Sequence, residues 1–338
     1  MIYVDNEGIT DPRVNLALEE YILRNFQKSD DYLLFYINEP SIIIGRNQNT
    51  LEEINDEYIR KHGIHVVRRM SGGGAVYHDL GNLNFSFNTT YKQENLNNFK
   101  KFNEPVVRIL NDMGVPAEMS GRNDILAEGR KISGNAQHAT KWRMFSHGTL
   151  LFNSDLGEVV NALNVKMNKI QSKGHKSVRS RVANITEFLE DQDMTITEFK
   201  QRILEGLYHD KSSFTTYKLT NEEWAAVHKL KEEKYGNWHW NYGRSPKFNI
   251  QRSKRFPIGE IDLRIDVHEG YINNMKVYGD FLGSGPVEDV EELLKGIRYN
   301  PEEIAETLMD FDLKQYFGDI DKDEFLNLVY GEDDDVVK

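Results

Sequence analysis

The stretch RRMSGGGAVYHD (68–79) sets three consecutive glycines, Gly72, Gly73 and Gly74, between two arginines and a His-Asp pair. Glycine has no Cβ, so successive N–H groups can converge on one anion at little steric cost. Arg68 and Arg69 can add fixed positive charge beside it. The same text also fits an ordinary turn or bulge. It is not a Walker A loop, which needs Lys-Ser/Thr after its last glycine. Nor is it a dinucleotide fingerprint, because Tyr77 stands where a third glycine or alanine belongs.

Three further segments carry groups that can do chemistry. In GRKISGNAQ (129–137), Lys131 lies three positions before Gly134, and small neighbours let a lysine approach a ligand closely; a solvated strand lysine is the alternative. In FSHGTLLF (145–152), His147 precedes an apolar run and is either a ligand contact or a satisfied structural histidine. KMNKIQSKGHKSVRSR (166–181) holds six basic residues and no acid. A solvated helix face usually mixes signs, so this one-sign stretch suggests a loop closing over phosphates, with a merely soluble loop as the alternative. His62 and His65 bracket a helix end and lack a third ligand of suitable spacing, which assigns them to structure.

Composition narrows the chemistry. The 338 residues carry 42 basic and 54 acidic side chains, a net charge of −12. A chain this acidic is poorly suited to nucleic acid, and its basic stretch stands out for that reason. There is no cysteine, which excludes a thiol nucleophile, a disulfide and Cys-ligated zinc. The N-terminal MIYVDNEGIT has neither a basic n-region nor an apolar h-region, and no apolar run approaches 18 residues. The expectation is a cytoplasmic protein that does not engage a membrane.

The elements that must position these groups read as follows. Residues 14–26 predict an amphipathic helix, and 31–37 with 41–45 a hairpin or two adjacent strands. Thr50 and Glu53 form a capping-box pattern opening a helix over 50–61. A strand over 64–69 runs directly into the glycines. LNFSFNT (83–89) alternates with period two, as a half-buried strand does. A helix over 99–113 and strands over 124–139 and 143–153 follow. Helices are expected near 156–163, 196–207 and 221–235. The aromatic, Gly/Pro-punctuated NWHWNYGRSPKFN (237–249) marks a boundary. Beyond it, IGEIDLRIDV and YINNMKVYG predict a hairpin followed by helices at 287–295, 301–308 and 322–329. Strands dominate the first half without regular βαβ alternation, which favours an α+β fold with a mixed sheet. The division expected is 1–245 for a large domain and 246–338 for a small one.

Taken together, RRMSGGGAVYHDLGNLNFSF, RNDI, RKISGNAQ, FSHGTLLFN and SKGHKSVRSRVANI resemble the lipoate-protein ligases. WNYGRSPKFN, RFPIGEIDLRIDV and the YGDF turn extend the resemblance through the second domain, so it covers nearly the whole chain. The resemblance implies a catalytic domain of the biotin/lipoate-ligase type, a mixed sheet with flanking helices, and a small C-terminal α+β accessory domain. It implies ATP-dependent activation of lipoate, or of octanoate, to an acyl adenylate with Mg²⁺. The acyl group then passes to one lysine of a carrier domain in 2-oxoacid dehydrogenases or the glycine-cleavage H protein. By matched position, Arg69 meets ATP and the acyl carboxylate. Gly74, Ala75, Val76 and Tyr77 form the ATP-binding run, and Lys131 touches both ATP and lipoate. Ser71, Gly73 and His147 fall where the family lines the lipoate site. Asp124 is a candidate to hold magnesium or orient Lys131, and Lys173, Arg179 and Arg181 to form a lid over the adenylate. A monomer is expected.

That chemistry calls for these residue types. A carboxylate attacking the α-phosphorus of ATP brings two anions together, and negative charge moves toward the departing pyrophosphate. Positioning and charge compensation are needed, and no protein nucleophile is. Octanoyltransferases and amidotransferases of the same fold use a cysteine, which this chain lacks, and no Arg/Gly-rich biotin-ligase loop is present. A non-catalytic binder of lipoate or its adenylate is the reading of a different class; a DNA-binding version would need an added basic helix-turn-helix, and none is seen.

Overall fold

The computed structural model describes residues 1–121, 123–163, 181–208, 214–242, 250–268 and 270–330. Short apolar runs between turn residues become the strands β1 (Ile2–Asp5), β2 (Tyr32–Ile37), β3 (Ser41–Ile44), β4 (His65–Arg68), β5 (Val76–His78), β6 (Asn82–Thr90), β7 (Ala117–Ser120), β8 (Asp124–Ala127), β9 (Arg130–Ala139), β10 (Arg143–Leu151) and β11 (Thr216–Lys218). Eight of them form one sheet in the order β11-β1-β2-β6-β10-β9-β8-β7, and β4-β3-β5 form a second. β1 is parallel to β2 and β11, whereas β2, β6, β10, β9, β8 and β7 pair antiparallel. The large sheet is therefore mixed, as expected.

Three expectations need correction here. The runs 31–37 and 41–45 are not a hairpin: β2 pairs with β1 and β6 in the large sheet, and β3 pairs with β4 and β5 in the small one. Pro40 separates them, and both are fully apolar, so period-two patterning could not say which neighbour each would take. The helix over 50–61 is two pieces, Thr50–Glu53 and Asp56–His62. Ile54 leaves the helix to bridge Leu163, and Asn55 caps the second piece through the Tyr58 N–H. The stretch 124–139 is likewise two strands, β8 and β9, turning at Glu128 and Gly129, both with positive φ.

One face of the large sheet is apolar. Leu33, Phe35, Leu83, Phe85, Ile125 and Leu150 pack there against the helices Phe99–Asp112 and Ile196–Leu207. The helix Pro12–Asn25, capped by Asp11 with Pro12 at its first turn, lies over the opposite face. Its Val14, Leu18 and Ile22 pack on Leu34 and Tyr36 of β2 and on Ile43 and Val67 of the small sheet. Beyond β2 that second face changes character. Asn84, Ser86 and Asn88 of β6 share it with Thr149, His147 and Phe145 of β10, and the three β6 side chains are almost wholly buried. β6 is thus buried on both faces, not half-buried: the sheet continues on either side of it and the helix covers its polar side.

By contact density the chain separates into two compact units. One comprises 1–44, 51–68 and 75–241; the other comprises 45–50, 69–74 and 242–338. In the second, β12 (Ile250–Phe256), β13 (Gly259–His268) and β14 (Tyr271–Gly279) form an antiparallel sheet. Its core joins Leu263, Ile265 and Met275 to Val290, Ile304, Phe317 and Phe325 of the helices that follow.

Candidate active site

Lys131 owes its direction to an irregularity. On a regular strand, residues three apart point to opposite faces. Between β8 and β9 the register shifts, so that Ile125 opposes Ser133 while Leu126 opposes Lys131. Ile132 is therefore an extra residue, a bulge that turns Lys131 onto the face of Gly134. The lysine lies flat over that glycine: a Cβ at 134 would stand 2.9 Å from its Nζ and 3.0 Å from its Cε. Its ammonium meets the Asp124 carboxylate at 2.8 Å, with both side chains about one-third exposed. Asp124 pairs with Gly134 across the two strands. Thr149 closes the other side by accepting the Gly134 N–H at 3.2 Å.

The Lys131 backbone is held as well. Beyond the end of β10, residues 181–183 take its place beside β9. The Lys131 N–H donates to the Arg181 carbonyl at 2.7 Å, and the Ala183 N–H donates to the Lys131 carbonyl at 3.0 Å. This is where the structure puts Arg181; Lys173 and Arg179 lie outside the described residues.

His147 stands on the same sheet face as Lys131 and Gly134, two residues along β10 from Thr149. Its Nδ1 is 2.9 Å and 3.1 Å from the two carboxylate oxygens of Glu19, and both residues are buried. A carboxylate oxygen accepts, so the contact suits a ring that donates from Nδ1. Glu19 was missed in the sequence because its helix was read from apolar positions. The legible signal was Asn15 and Glu19 at i, i+4 spacing inside the buried stripe.

The next residue, Glu20, anchors a different neighbour. It accepts from Tyr235 Oη and Lys234 Nζ, each at 2.7 Å, and from Arg24 Nε at 2.7 Å. Burial pushes its carboxyl up, but Lys234, Tyr235 and Arg24 hold it below the usual carboxylate value. Burial and Glu20 together raise the Tyr235 phenol far above its ordinary range.

The twin arginines have separate duties. Arg68, read from sequence as a source of charge, is buried and occupied by the 240–241 segment. Its N–H donates to Asn241 Oδ1 at 2.9 Å and its guanidinium to the carbonyls of Trp240 at 2.9 Å and Asn241 at 3.2 Å. Trp240 Nε1 returns a bond to the Arg68 carbonyl at 2.8 Å. NWHWN, the start of the stretch expected as a boundary, is thus also a clamp on the end of β4, and the two units divide directly after it, between Asn241 and Tyr242.

Arg69 belongs with Ser71, Gly73 and Gly74 in the second unit. Its Nε donates to Ser71 Oγ at 3.0 Å, and its Nη2 to the carbonyls of Gly72 at 2.6 Å and Gly74 at 2.9 Å. The loop is folded around the guanidinium. Gly73 has φ +90°, and a Cβ there would stand 2.9 Å from Arg69 Nη2, so glycine is required. The Gly73 N–H donates to the Phe281 carbonyl at 3.3 Å.

Ala75, Val76 and Tyr77 fall in the first unit, with Val76 and Tyr77 in β5 opposite Ile43 and Ile42. Burial, then Asp79, raises the Tyr77 phenol. His78 Nδ1 meets Asn38 Nδ2 at 3.0 Å, Asn15 Nδ2 donates to Asn38 Oδ1 at 2.9 Å, and Asn6 Nδ2 donates to Asn15 Oδ1 at 3.1 Å, a chain of side-chain bonds. His62 stacks on Tyr58 and His65 meets Glu39 at 2.9 Å, both local contacts. Among the described residues, no three acidic or histidine side chains gather as a metal site. No helix among them is long and apolar enough to cross a membrane.

Residues 11–208 match the lipoyl protein ligase A/B catalytic domain, and 245–329 match the bacterial lipoate protein ligase C-terminus. The chain is 56% identical to lipoate-protein ligase LplJ of Bacillus subtilis, covering 98% of this chain and all of that one. It is 53% identical to lipoate-protein ligase 1 of Staphylococcus aureus, over 97% of this chain and all of the relative. The fold superposes on P. falciparum LipL1 in complex with lipoate with a TM-score of 0.79, at 25% identity and 98% coverage of both chains. A Thermoplasma acidophilum bipartite lipoate protein ligase, solved in a study that includes its E2 lipoyl domain, matches at TM-score 0.63 and 34% identity, over 73% of this chain and 97% of that one. A lipoate-protein ligase A bound with ATP matches at 0.59 and 33%, over 69% and 94%. With catalytic and C-terminal regions matched in order and relatives aligned end to end, the chain belongs to the lipoate-protein ligase family.

Proposed function

We propose that this protein uses ATP to activate lipoate and then transfers the lipoyl group to a lysine of carrier domains. A lipoate carboxylate oxygen attacks the α-phosphorus, the bond to the β-phosphate bridging oxygen breaks, and pyrophosphate leaves. The carrier amine then attacks the acyl carbonyl, AMP departs, and an amide and a proton are produced. The observation that carries this reading is Lys131, turned by the Ile132 bulge onto Gly134 with its ammonium set by Asp124. A compact cation held on a rigid strand can draw carboxylate and α-phosphate together without being consumed.

Arg69 and Lys131 are assigned to both ATP and lipoate, Gly74, Ala75, Val76 and Tyr77 to ATP, and Ser71, Gly73 and His147 to the lipoate side. Lys173, Arg179 and Arg181 are assigned to a lid over the adenylate. Magnesium enters as the Mg·ATP complex. The donor set fits that role better than a resident ion: Asp124 is a single carboxylate near Lys131, and an octahedral ion carried on phosphates needs one or two protein oxygens at most. Carriers are proposed to be the acyltransferase subunits of 2-oxoacid dehydrogenases and the H protein. A catalytic domain over 1–245, an accessory domain over 246–338, a monomer and a cytoplasmic location complete the proposal; the two matched regions and the absence of cysteine support its domain and compartment parts.

The test is lipoate-dependent exchange of labelled pyrophosphate into ATP. Wild type is expected to exchange with lipoate and not with biotin, and Lys131→Ala to lose about 10²–10³ in rate while remaining folded. A folded wild-type protein that binds lipoate yet exchanges no pyrophosphate would be a binder, not a ligase.

A further inference from the structure

We infer that Asn184 is a positioning residue for acyl activation: its amide locks residues 181–183 to the end of β10, and that segment holds the bulge that points Lys131 at Gly134. The inference rests on the reading of Lys131 as the activating lysine. Its own sheet neighbours hold β9 poorly at this point. On one side the register with β8 shifts at Ile132, and a bulge leaves its extra residue unpaired. On the other side the ladder with β10 stops at Asn135, opposite Gly148. What replaces it is a single parallel bridge, Lys131 opposite Val182. Both backbone groups of Lys131 enter that bridge, the N–H donating to the Arg181 carbonyl at 2.7 Å and the carbonyl accepting from the Ala183 N–H at 3.0 Å. A one-residue slip would remove the bulge. Because side chains alternate along a strand, the slip would also carry Lys131 to the opposite face.

One side chain fastens the segment in turn. Asn184 Oδ1 accepts the Ser154 N–H at 2.9 Å, and its Nδ2 donates to the Ser154 carbonyl at 2.9 Å. An amide carries a donor and an acceptor together, which is what the edge of a peptide chain requires. Ser154 is a firm anchor. It is buried, and just before it the N–H groups of Phe152 and Asn153 donate to the Gly81 carbonyl at 3.1 and 2.9 Å. Gly81 leaves no room for a side chain, since a Cβ there would stand 2.0 Å from the Asn153 carbonyl oxygen. The Thr186 N–H, donating to the Phe152 carbonyl at 3.1 Å, continues the attachment. Nearby, Arg130 meets Glu187 at 2.6 Å, but the two side chains are 31% and 40% exposed, and ion pairs open to water hold little. The lock is therefore Asn184 and not Glu187.

The experiment compares wild type with Asn184→Ala, Asn184→Asp, Glu187→Gln and Ile203→Val in pyrophosphate exchange at saturating lipoate and Mg·ATP, with Tm recorded for each. Ile203 is buried in the apolar core on the helix Ile196–Leu207, so its variant reports what lost stability alone does to the rate. Asn184→Ala is expected to lower kcat by roughly 10- to 100-fold, the range for a positioned group displaced by about 1 Å. Asn184→Asp keeps an acceptor for the Ser154 N–H and should lose less. Glu187→Gln and Ile203→Val should keep the wild-type rate. A second readout needs no turnover: in amide hydrogen exchange, Asn184→Ala should strip protection from Lys131 and Ala183 while the part of β9 paired with β10 retains it. An Asn184→Ala rate no lower than that of Ile203→Val, or unchanged protection at Lys131, overturns the inference and leaves the ligase reading intact. A wild type without exchange overturns that reading, and the inference with it.

Discussion

Gly134→Ala is expected to separate activity from stability in this protein. The added Cβ would sit 2.9 Å from Lys131 Nζ and 3.0 Å from Cε. Ordinary contacts to carbon are about 3.5–4.0 Å, so the lysine tip must retreat by roughly 0.5–1 Å. The displaced atoms are the far end of a flexible chain, so the fold absorbs the change. Gly134 has no positive φ, and alanine adopts its backbone without strain. Replacing a strand glycine at such a position stabilises by about 0.4–1 kcal/mol through the unfolded state, a rise in Tm of about 1–3 °C for a domain of this size. Adenylation is another matter. Misplacing a positioned group by about 1 Å costs up to 10²-fold, close to 2.7 kcal/mol of barrier. Pyrophosphate exchange at saturating lipoate and Mg·ATP, run beside calorimetry, should show kcat falling 30- to 100-fold by this reasoning while Tm is unchanged or higher. Full exchange activity, or activity and Tm falling together, would refute the claim that Gly134 exists to seat Lys131.

Gly148→Ala is the contrast: its Cβ would meet Asn135 Oδ1 at 2.0 Å and the Phe85 ring at 2.6 Å, so a loss of about 1–3 kcal/mol is expected in urea unfolding. Asp124→Asn keeps a hydrogen-bond acceptor but not the charge that orients Lys131; exchange should drop about three- to tenfold with Tm constant, and an unaffected rate would remove Asp124 from the site. Glu20, whose carboxyl is held below its usual 4.5, contributes stability that is present above that pH and lost as pH falls through the depressed value. Glu20→Gln should therefore lower Tm at pH 7 and much less at pH 3, whereas a pH-independent offset would contradict the assignment. Trp240→Phe removes the N–H donated to the Arg68 carbonyl and is expected to cost about 1–3 kcal/mol by thermal unfolding; no change would mean the clamp does not hold β4.

Much of the fold was legible because periodicity reports local structure directly. The helix expected over 196–207 is Ile196–Leu207, opened by a Thr195/Glu198 capping box, and the helix over 301–308 begins at Pro301 behind Asn300. Both carry their own start signals. The IGEIDLRIDV and YINNMKVYG hairpin appears as β13 and β14, since alternation survives wherever one face is covered. Partners of fully apolar strands were not legible. β2 and β3 differ in sheet, not in pattern, and only long-range pairing separates them.

What the sequence determined on its own was the inventory: no thiol, an acidic chain with one basic stretch, and motifs whose order resembles one family of ligases. It also placed most elements, because hydrophobic period and caps act over a few residues. Tertiary structure decided direction and partnership. Lys131 faces Gly134 only because Ile132 is an extra residue against β8, and a bulge is defined by two strands at once. Glu19 reaches His147 across 128 positions, and Trp240 reaches Arg68 across 172. A buried carboxylate or indole has a cost unless it finds its partner, and no local rule names that partner; the packing of helix on sheet does.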